Sequence, residues 1–372
     1  MSFVYPGSSW PTRSWPDRAW PLAGVVAPPT LLPDVGWVNG LYTLILVANP
    51  RGVVIGELAA DIDSVSWRLN EDGQARLIVG NPGTAGELME FGSRLLMYFD
   101  NGLPTWSGYL DPPRRWAYGS VELTAYGGER LLTQRVTTRT RRFSAVTPGA
   151  IFAALLAEQA GPAVVEVGQI YIGGEAVSAE FHLEELLKVV QDKLLTYGGD
   201  FDVTGALEGG RIRLRANYYD QRGRARPNVR LMEGHNIAAV EPEEQGPIIN
   251  EWLTTGAGNG WEAWSRPYAT ARDEASVTRY GLRQSPEVMS GVTDAATLAA
   301  RTALNLSASA TPYVATGLDA LNLPPARFGD YDIGDEVTVE MYSMLDGFIG
   351  MRRRVLGREF RPRDGVCGTV VA

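Results

Sequence analysis

VSWRLN at residues 65–70, then Glu71-Asp72-Gly73, then QARLIV at 74–79 is the stretch that decides the fold class. Two apolar-rich runs flank an Asp-Gly pair, the strongest short-range signal for a β-hairpin, because the turn demands a positive φ that glycine adopts freely. Working outward, the same grammar repeats. LYTLILVA (41–48) turns at Asn49-Pro50-Arg51-Gly52 and returns as VVIGEL (53–58). RLLMYF (94–99) turns at Asp100-Asn101-Gly102 and returns through Trp106-Ser107-Gly108-Tyr109-Leu110; VELTAY (121–126) completes the set. Seven or more short strands spaced by turns predict a β meander rolled into a small antiparallel barrel.

Further on the period changes. Thr147-Pro148 caps and opens a predicted helix with Ile151, Phe152, Leu155 and Leu156 on its face and Gly161-Pro162 as its stop. A second helix is predicted from Leu183 to Tyr197, with Leu183, Leu186, Leu187, Val190 and Leu194 at helical spacing and Gly198-Gly199 ending it. Around them lie strand-like VVEVGQIYIG (164–173), FDVTGAL (201–207) and RIRLRANYY (211–219). A third helix is expected over 294–308, capped by Thr293 and carrying Leu298, Leu304 and Leu306. The chain then returns to strands: DEVTVEMYS (335–343), Phe348-Ile349-Gly350 and RRRVLGREFRP (352–362).

Residues 1 to 36 do not read as a domain. Trp10-Pro11-Thr12-Arg13-Ser14, Trp15-Pro16-Asp17-Arg18-Ala19 and Trp20-Pro21-Leu22-Ala23 form a five-residue repeat, followed by Pro28, Pro29 and Pro33. Proline fixes φ, removes an amide donor and drives the residue before it toward extended states. The expected form is an extended arm whose Trp10, Trp15 and Trp20, with Arg13 and Arg18 between them, serve as docking residues. Packing on its own chain, docking on a neighbouring subunit and disorder all remain open from the sequence.

Composition narrows the function classes. The 372 residues carry 34 basic and 43 acidic side chains, a formal charge of −9, which argues against a basic nucleic-acid grip. One cysteine, Cys367, excludes an intrachain disulfide and a cysteine-based zinc cluster. Two histidines, His182 and His235, are too few for a three-histidine metal site from one chain. No apolar run approaches the ~18 residues of a membrane span, and the N-terminus lacks a secretory pattern, so a soluble protein is expected.

The motifs that hint at chemistry fail on inspection. Gly256-Ala257-Gly258-Asn259-Gly260 meets Trp261 where a dinucleotide fingerprint needs glycine. Asp330-Tyr331-Asp332-Ile333-Gly334-Asp335 puts Gly334, Asp335 and Met341 where a calcium loop needs an acid or Asn, a glycine and a glutamate, so it reads as a turn before a strand. His182 has Leu186, not histidine, four residues on, and no G-x-S-x-G elbow occurs. No enzyme and no cofactor are expected. The arginines cluster at 135–142, 211–230 and 352–354, and Arg211-Ile212-Arg213-Leu214-Arg215 alternates with period two. A solvated strand face, inter-subunit salt bridges and DNA contact are the three readings.

Four segments together resemble a known family. They are Leu95–Asp100 with Trp106-Ser107-Gly108-Tyr109, Val121–Gly127 and Arg130-Leu131-Leu132; Ile249–Gly256; Tyr280-Gly281 with Asp294–Leu306; and Tyr331–Val337. Their order and spacing resemble the baseplate hub proteins of tailed bacteriophages, minor tail proteins related to the central hub of contractile tails. The resemblance spans roughly residues 37 to 372; the Trp-Pro arm has no counterpart in it. It implies a mainly β fold with an α+β insertion: two antiparallel, tail-tube-like β-barrels, an inserted α+β region and the extended N-terminal arm. The implied divisions are 1–36 for the arm, 37–135 for the first barrel, 136–225 with 260–312 for the middle region, and 226–259 with 313–372 for the second barrel. By resemblance the protein is a structural virion component, a homotrimer at the distal tail tip, assembled in the host cytoplasm. Its implied partners are a distal tail protein ring, a tape-measure protein and tip or fibre proteins, with genomic DNA passing through unbound. The alternatives are a tail-associated cell-wall hydrolase and a receptor- or carbohydrate-binding β module, the latter favoured by ten tryptophans.

Overall fold

The computed structural model describes residues 43–372 except 81, 85, 118, 138–139, 159–164, 246–247, 258–265, 290–291, 293, 311–312 and 344–346. All lie within the unit Leu32–Ala372. The Trp-Pro arm is outside the described residues.

The first half contains β1 (Thr43–Ala48), β2 (Val54–Glu57), β3 (Asp61–Arg68), β4 (Gln74–Gly80), β5 (Arg94–Phe99), β6 (Trp106–Ala117) and β7 (Ser120–Gly127). The hairpins β1–β2, β3–β4 and β5–β6 stand where the turn residues place them. The simple meander does not. The strand order is β3-β4-β7-β6-β5-β1-β2, with Leu46 opposite Leu96 and Leu77 opposite Leu123. Turn chemistry fixes only adjacent strands; which hairpin lies beside which is set by burial. Ile45, Val47, Leu95 and Met97 enter one core, whereas Leu46, Ala48, Leu96 and Tyr98 pack into or against another. A strand buried on both faces needs the near-continuous apolar run that RLLMYF supplies. Gly102 has the expected positive φ of 89°. In the 65–79 hairpin that role falls to Asn70, φ 64°, while Gly73 is needed for close approach: a Cβ there would lie 2.2 Å from the Ser66 carbonyl oxygen.

The insert holds β8 (Arg141–Val146), α1 (Pro148–Ala157), β9 (Glu166–Ile170), β10 (Val177–Phe181), α2 (Leu186–Lys188), β11 (Asp200–Glu208) and β12 (Arg211–Tyr219). β8 pairs with β10, and β11, β12 and β9 form a three-stranded sheet. Pro148 opens α1 and its four predicted apolar residues are buried, but Thr147 makes no side-chain cap bond. The second helix starts three residues late, because Leu183 has φ 49° and Glu185 is extended. It continues as a π turn (Val189–Leu194) and a 3-10 turn (Leu195–Tyr197) before Gly198 and Gly199 at φ 96° and 92°.

β13 (Ala225–Met232) and β14 (Ile237–Gln245) follow, then a small module of β15 (Glu251–Thr255), β16 (Tyr268–Arg272), α3 (Glu274–Tyr280), β17 (Gln284–Val288) and α4 (Ala295–Ser309). The strand expected at 249–256 is β15, and its partners are β16, antiparallel, and β17, parallel. α4 is capped by Asp294, whose carboxylate accepts the Thr297 amide at 2.7 Å and hydroxyl at 2.8 Å; Thr293, the expected cap, lies outside the described residues. α3, invisible as an apolar stripe, is capped in the same way by Asp273 on Ser276 N–H at 2.9 Å.

β18 (Tyr313–Leu321), β19 (Glu336–Ser343), β20 (Gly347–Arg361) and β21 (Val366–Val371) complete the second half, ordered β13-β19-β20-β21-β18-β14. The protein is mainly β with an α+β insertion. Where two barrels were expected, the described strands form one 13-stranded sheet, because Gly357–Phe360 of β20 pairs with Val65–Arg68 of β3. The end strands of each half are consecutive in the chain, joined by 58–60 in the first and 233–236 in the second. The first connection reaches at most about 14 Å, against about 29 Å across seven flat strands. Each half therefore curls, but its seam stays open; among the described residues no closed hydrogen-bonded barrel forms. Trp67–Phe99, Phe99–Phe360 and Phe328–Phe360 contacts, with ring centroids 5.7, 6.4 and 5.7 Å apart, carry one core across both halves.

Candidate functional site

The alternating arginine strand is β12. Ile212 and Leu214 are fully buried in the core of the insert. On the opposite face Arg213 meets Glu166 at 2.7 Å and Arg215 grips Glu208 through two 2.6 Å bonds. The Arg215 hydrogen bonds hold the Glu208 carboxyl below its ordinary range. This face is solvated and its charge is balanced by carboxylates of the same chain. In the first arginine group Arg141 pairs with Glu158 and Arg142 with Glu180.

The second and third groups converge where the insert meets both halves of the sheet. Asp200, 3% exposed at the start of β11, accepts Asn70 Nδ2 at 3.0 Å, the Arg222 amide at 2.6 Å and the Arg354 guanidinium. Asn70 in turn accepts the Phe201 amide at 2.8 Å, which ties the first hairpin to the insert. Asp202, equally buried, accepts Asn217 Nδ2 at 2.7 Å and Tyr219 Oη–H at 3.2 Å, and faces Arg222 Nε at 2.9 Å. Arg222 also lies 3.4 Å from Asp332. Asp335 organises the neighbouring turn, accepting the Arg224 amide, Arg226 Nε and the Asp332 amide at 2.8, 2.8 and 3.0 Å. Asp330–Asp335 thus acts as a turn before β19.

Beside this network lies a cleft of about 220 Å³ lined by Trp106, Glu129, Asp202, Arg222 and Asp332 among others. Glu129, 8% exposed, sits in the 3-10 turn Gly128–Gln134 that follows β7, and its Oε1 accepts the Val203 amide at 2.8 Å. Burial, reinforced by the neighbouring Asp202 charge and opposed by two amide hydrogen bonds and Arg222, pushes its carboxyl up to about 8. Burial likewise raises Asp202.

The geometry joins segments of the chain to one another. Neither histidine enters the cleft: His182 contacts Thr140 Oγ1 at 2.7 Å and His235 the Pro324 carbonyl at 3.0 Å, both at the surface. Among the described residues no group of three or more His, Cys, Asp or Glu is placed to hold a metal, and no helix is long and apolar enough to cross a membrane. The expected docking residues, Trp10, Arg13, Trp15, Arg18 and Trp20, lie outside the described residues. The sequence reading found the arginines but missed Glu129, Asp200 and Asp202. For Glu129 and Asp200 the available signal was the glycine just before each, Gly128 and Gly199, where chain segments approach closely.

No family model matches the sequence, and no curated protein matches it. Solved structures do. Prophage tail protein gp18 from Listeria monocytogenes EGD-e superposes with a TM-score of 0.59 at 16% identity, over 88% of this chain and 94% of that one. The 43 kDa tail protein of prophage MuSo2 from Shewanella oneidensis gives 0.57 at 13%, over 88% and 97%. The tail protein from Neisseria meningitidis MC58 gives 0.57 at 14%, over 88% and 96%. The chain has the fold of these tail proteins, and the resemblance read from the sequence holds at the level of fold.

Proposed function

We propose that the chain is a structural protein of a phage tail: a trimeric hub at the distal end that adapts a sixfold tube to a threefold tip around the DNA exit channel. The observation that carries this reading is the likeness to three tail proteins, two of them from prophages, over nearly their whole lengths. Two curled β halves welded into one sheet offer two tube-like units per chain, six in a trimer. A charge of −9 per chain, −27 for three, suits a wall past which DNA slides without sticking. In this reading the partners are a distal tail protein ring, a tape-measure protein and tip or fibre proteins. The arm, through Trp10, Trp15 and Trp20 with Arg13 and Arg18, clamps one of them. The protein is built into the virion in the host cytoplasm and works at the tail tip without catalysis.

Negative-stain microscopy of the concentrated full-length protein tests the assembly. Threefold rings with a central hole wide enough for a duplex are expected; compact particles alone and in the presence of tail partners would overturn the hub. Deleting residues 1–36 is expected to abolish incorporation into tails while leaving the rest folded, and normal incorporation would remove the clamp.

A further inference from the structure

We propose that the Glu129 side chain is a protonation-controlled latch holding the edge of the insert sheet against the first half of the main sheet. The inference goes beyond the tail reading and concerns the chain whatever it assembles with.

The latch is built from close packing. Val203 of β11 pairs with β12 on one side, and on the other its amide is met by Glu129 Oε1 at 2.8 Å. Two glycines let the 3-10 turn come that near. A Cβ on Gly127 would sit 2.4 Å from Glu129 Oε2, and one on Gly128 would sit 2.5 Å from Val203 Cγ1. The carboxyl is therefore seated between the turn backbone and β11, with the cleft on its open side.

The charges facing it decide which protonation state fits. Asp202 on β11, Arg222 after β12, Asp332 before β19 and Arg68 on β3 line the same cleft. Asp72 is engaged with Arg130 of the turn itself, at 3.3 Å. Arg222 is already shared between Asp202 at 2.9 Å and Asp332 at 3.4 Å. Glu129 forms no ion pair with either Arg68 or Arg222; an ionised Glu129 lies beside a second carboxylate and forfeits its hydration, which outweighs the pull of Arg222. The neutral acid keeps the Val203 hydrogen bond. The anion moves toward water in the cleft and leaves the amide of an edge strand unpaired, so the insert edge opens on deprotonation.

Amide hydrogen–deuterium exchange on the full chain reads this directly, after correction for the intrinsic base-catalysed rate. In the wild type, protection of 200–207 and 127–134 is expected to fall by up to tenfold per pH unit between about pH 4.5 and 8 and to level off above that. Glu129→Gln keeps the acceptor and cannot ionise, so its protection is expected to stay flat with pH. Asp202→Asn removes the neighbouring charge and moves the pH at which the fall levels off downward, which keeps the test intact if the glutamine variant folds poorly. pH-independent protection in the wild type between about pH 4.5 and 8, a wild-type profile in Glu129→Gln, or an unmoved levelling-off in Asp202→Asn would overturn the latch. No assembly is needed, so failure here is separate from failure of the hub reading.

Discussion

At the scale of single residues, buried carboxyls set the response to pH. Glu129 titrates near 8 in the folded chain and near its ordinary 4.5 when unfolded. The folded state therefore holds the extra proton between those values, and global stability falls as pH rises through that window. Glu208 acts in the opposite sense: Arg215 lowers its pKa, so its contribution is present above the unfolded value and lost in acid. Glu129→Gln is expected to flatten the decline in urea-midpoint stability between pH 5 and 8, and an unchanged slope would remove Glu129 as its source. None of these carboxyls was legible alone. A buried Asp and a solvated Asp look alike in sequence; what separates them is a distant partner, as Arg354 is for Asp200 across 154 positions.

At the scale of elements, local chemistry was legible and long-range pairing was not. The positions of the hairpins, the Asn101-Gly102 turn, the period-two β12 and the start of α1 follow from adjacent residues, whereas the positive φ expected of Gly73 falls to Asn70. The pairing of β4 with β7 and of β1 with β5 follows from two cores competing for one strand. Leu96→Ala and Met97→Ala, one residue apart on β5, are expected each to cost ~2–5 kcal/mol in chemical denaturation. Leu96→Ala should loosen the insert in hydrogen exchange and Met97→Ala the sheet, because the two side chains enter different cores. Helix caps are a smaller lever. Asp294→Ala removes both bonds to Thr297 and is expected to cost ~1 kcal/mol in urea unfolding, with Asp294→Asn retaining most of it.

At the scale of the molecule, β3–β20 pairing and the shared core make the two halves one cooperative body. Phe360→Ala, which empties a site touched by Phe99 and Phe328, is expected to cost ~3–5 kcal/mol. It should lower hydrogen-exchange protection in 43–127 and in 313–371 together; an effect confined to one half would separate them. The same pairing bears on how the chain is made. A ribosome adds about 5–20 residues per second, so once β3 has emerged its partner on β20, nearly three hundred residues on, arrives roughly 15–60 s later. For that interval the nascent first half carries an unfilled strand edge, open to any neighbouring chain on the same polysome. Cells expressing this protein must therefore keep its early edge shielded until translation ends, and slow growth at low temperature, by lengthening the wait, raises the demand on the chaperones that do so.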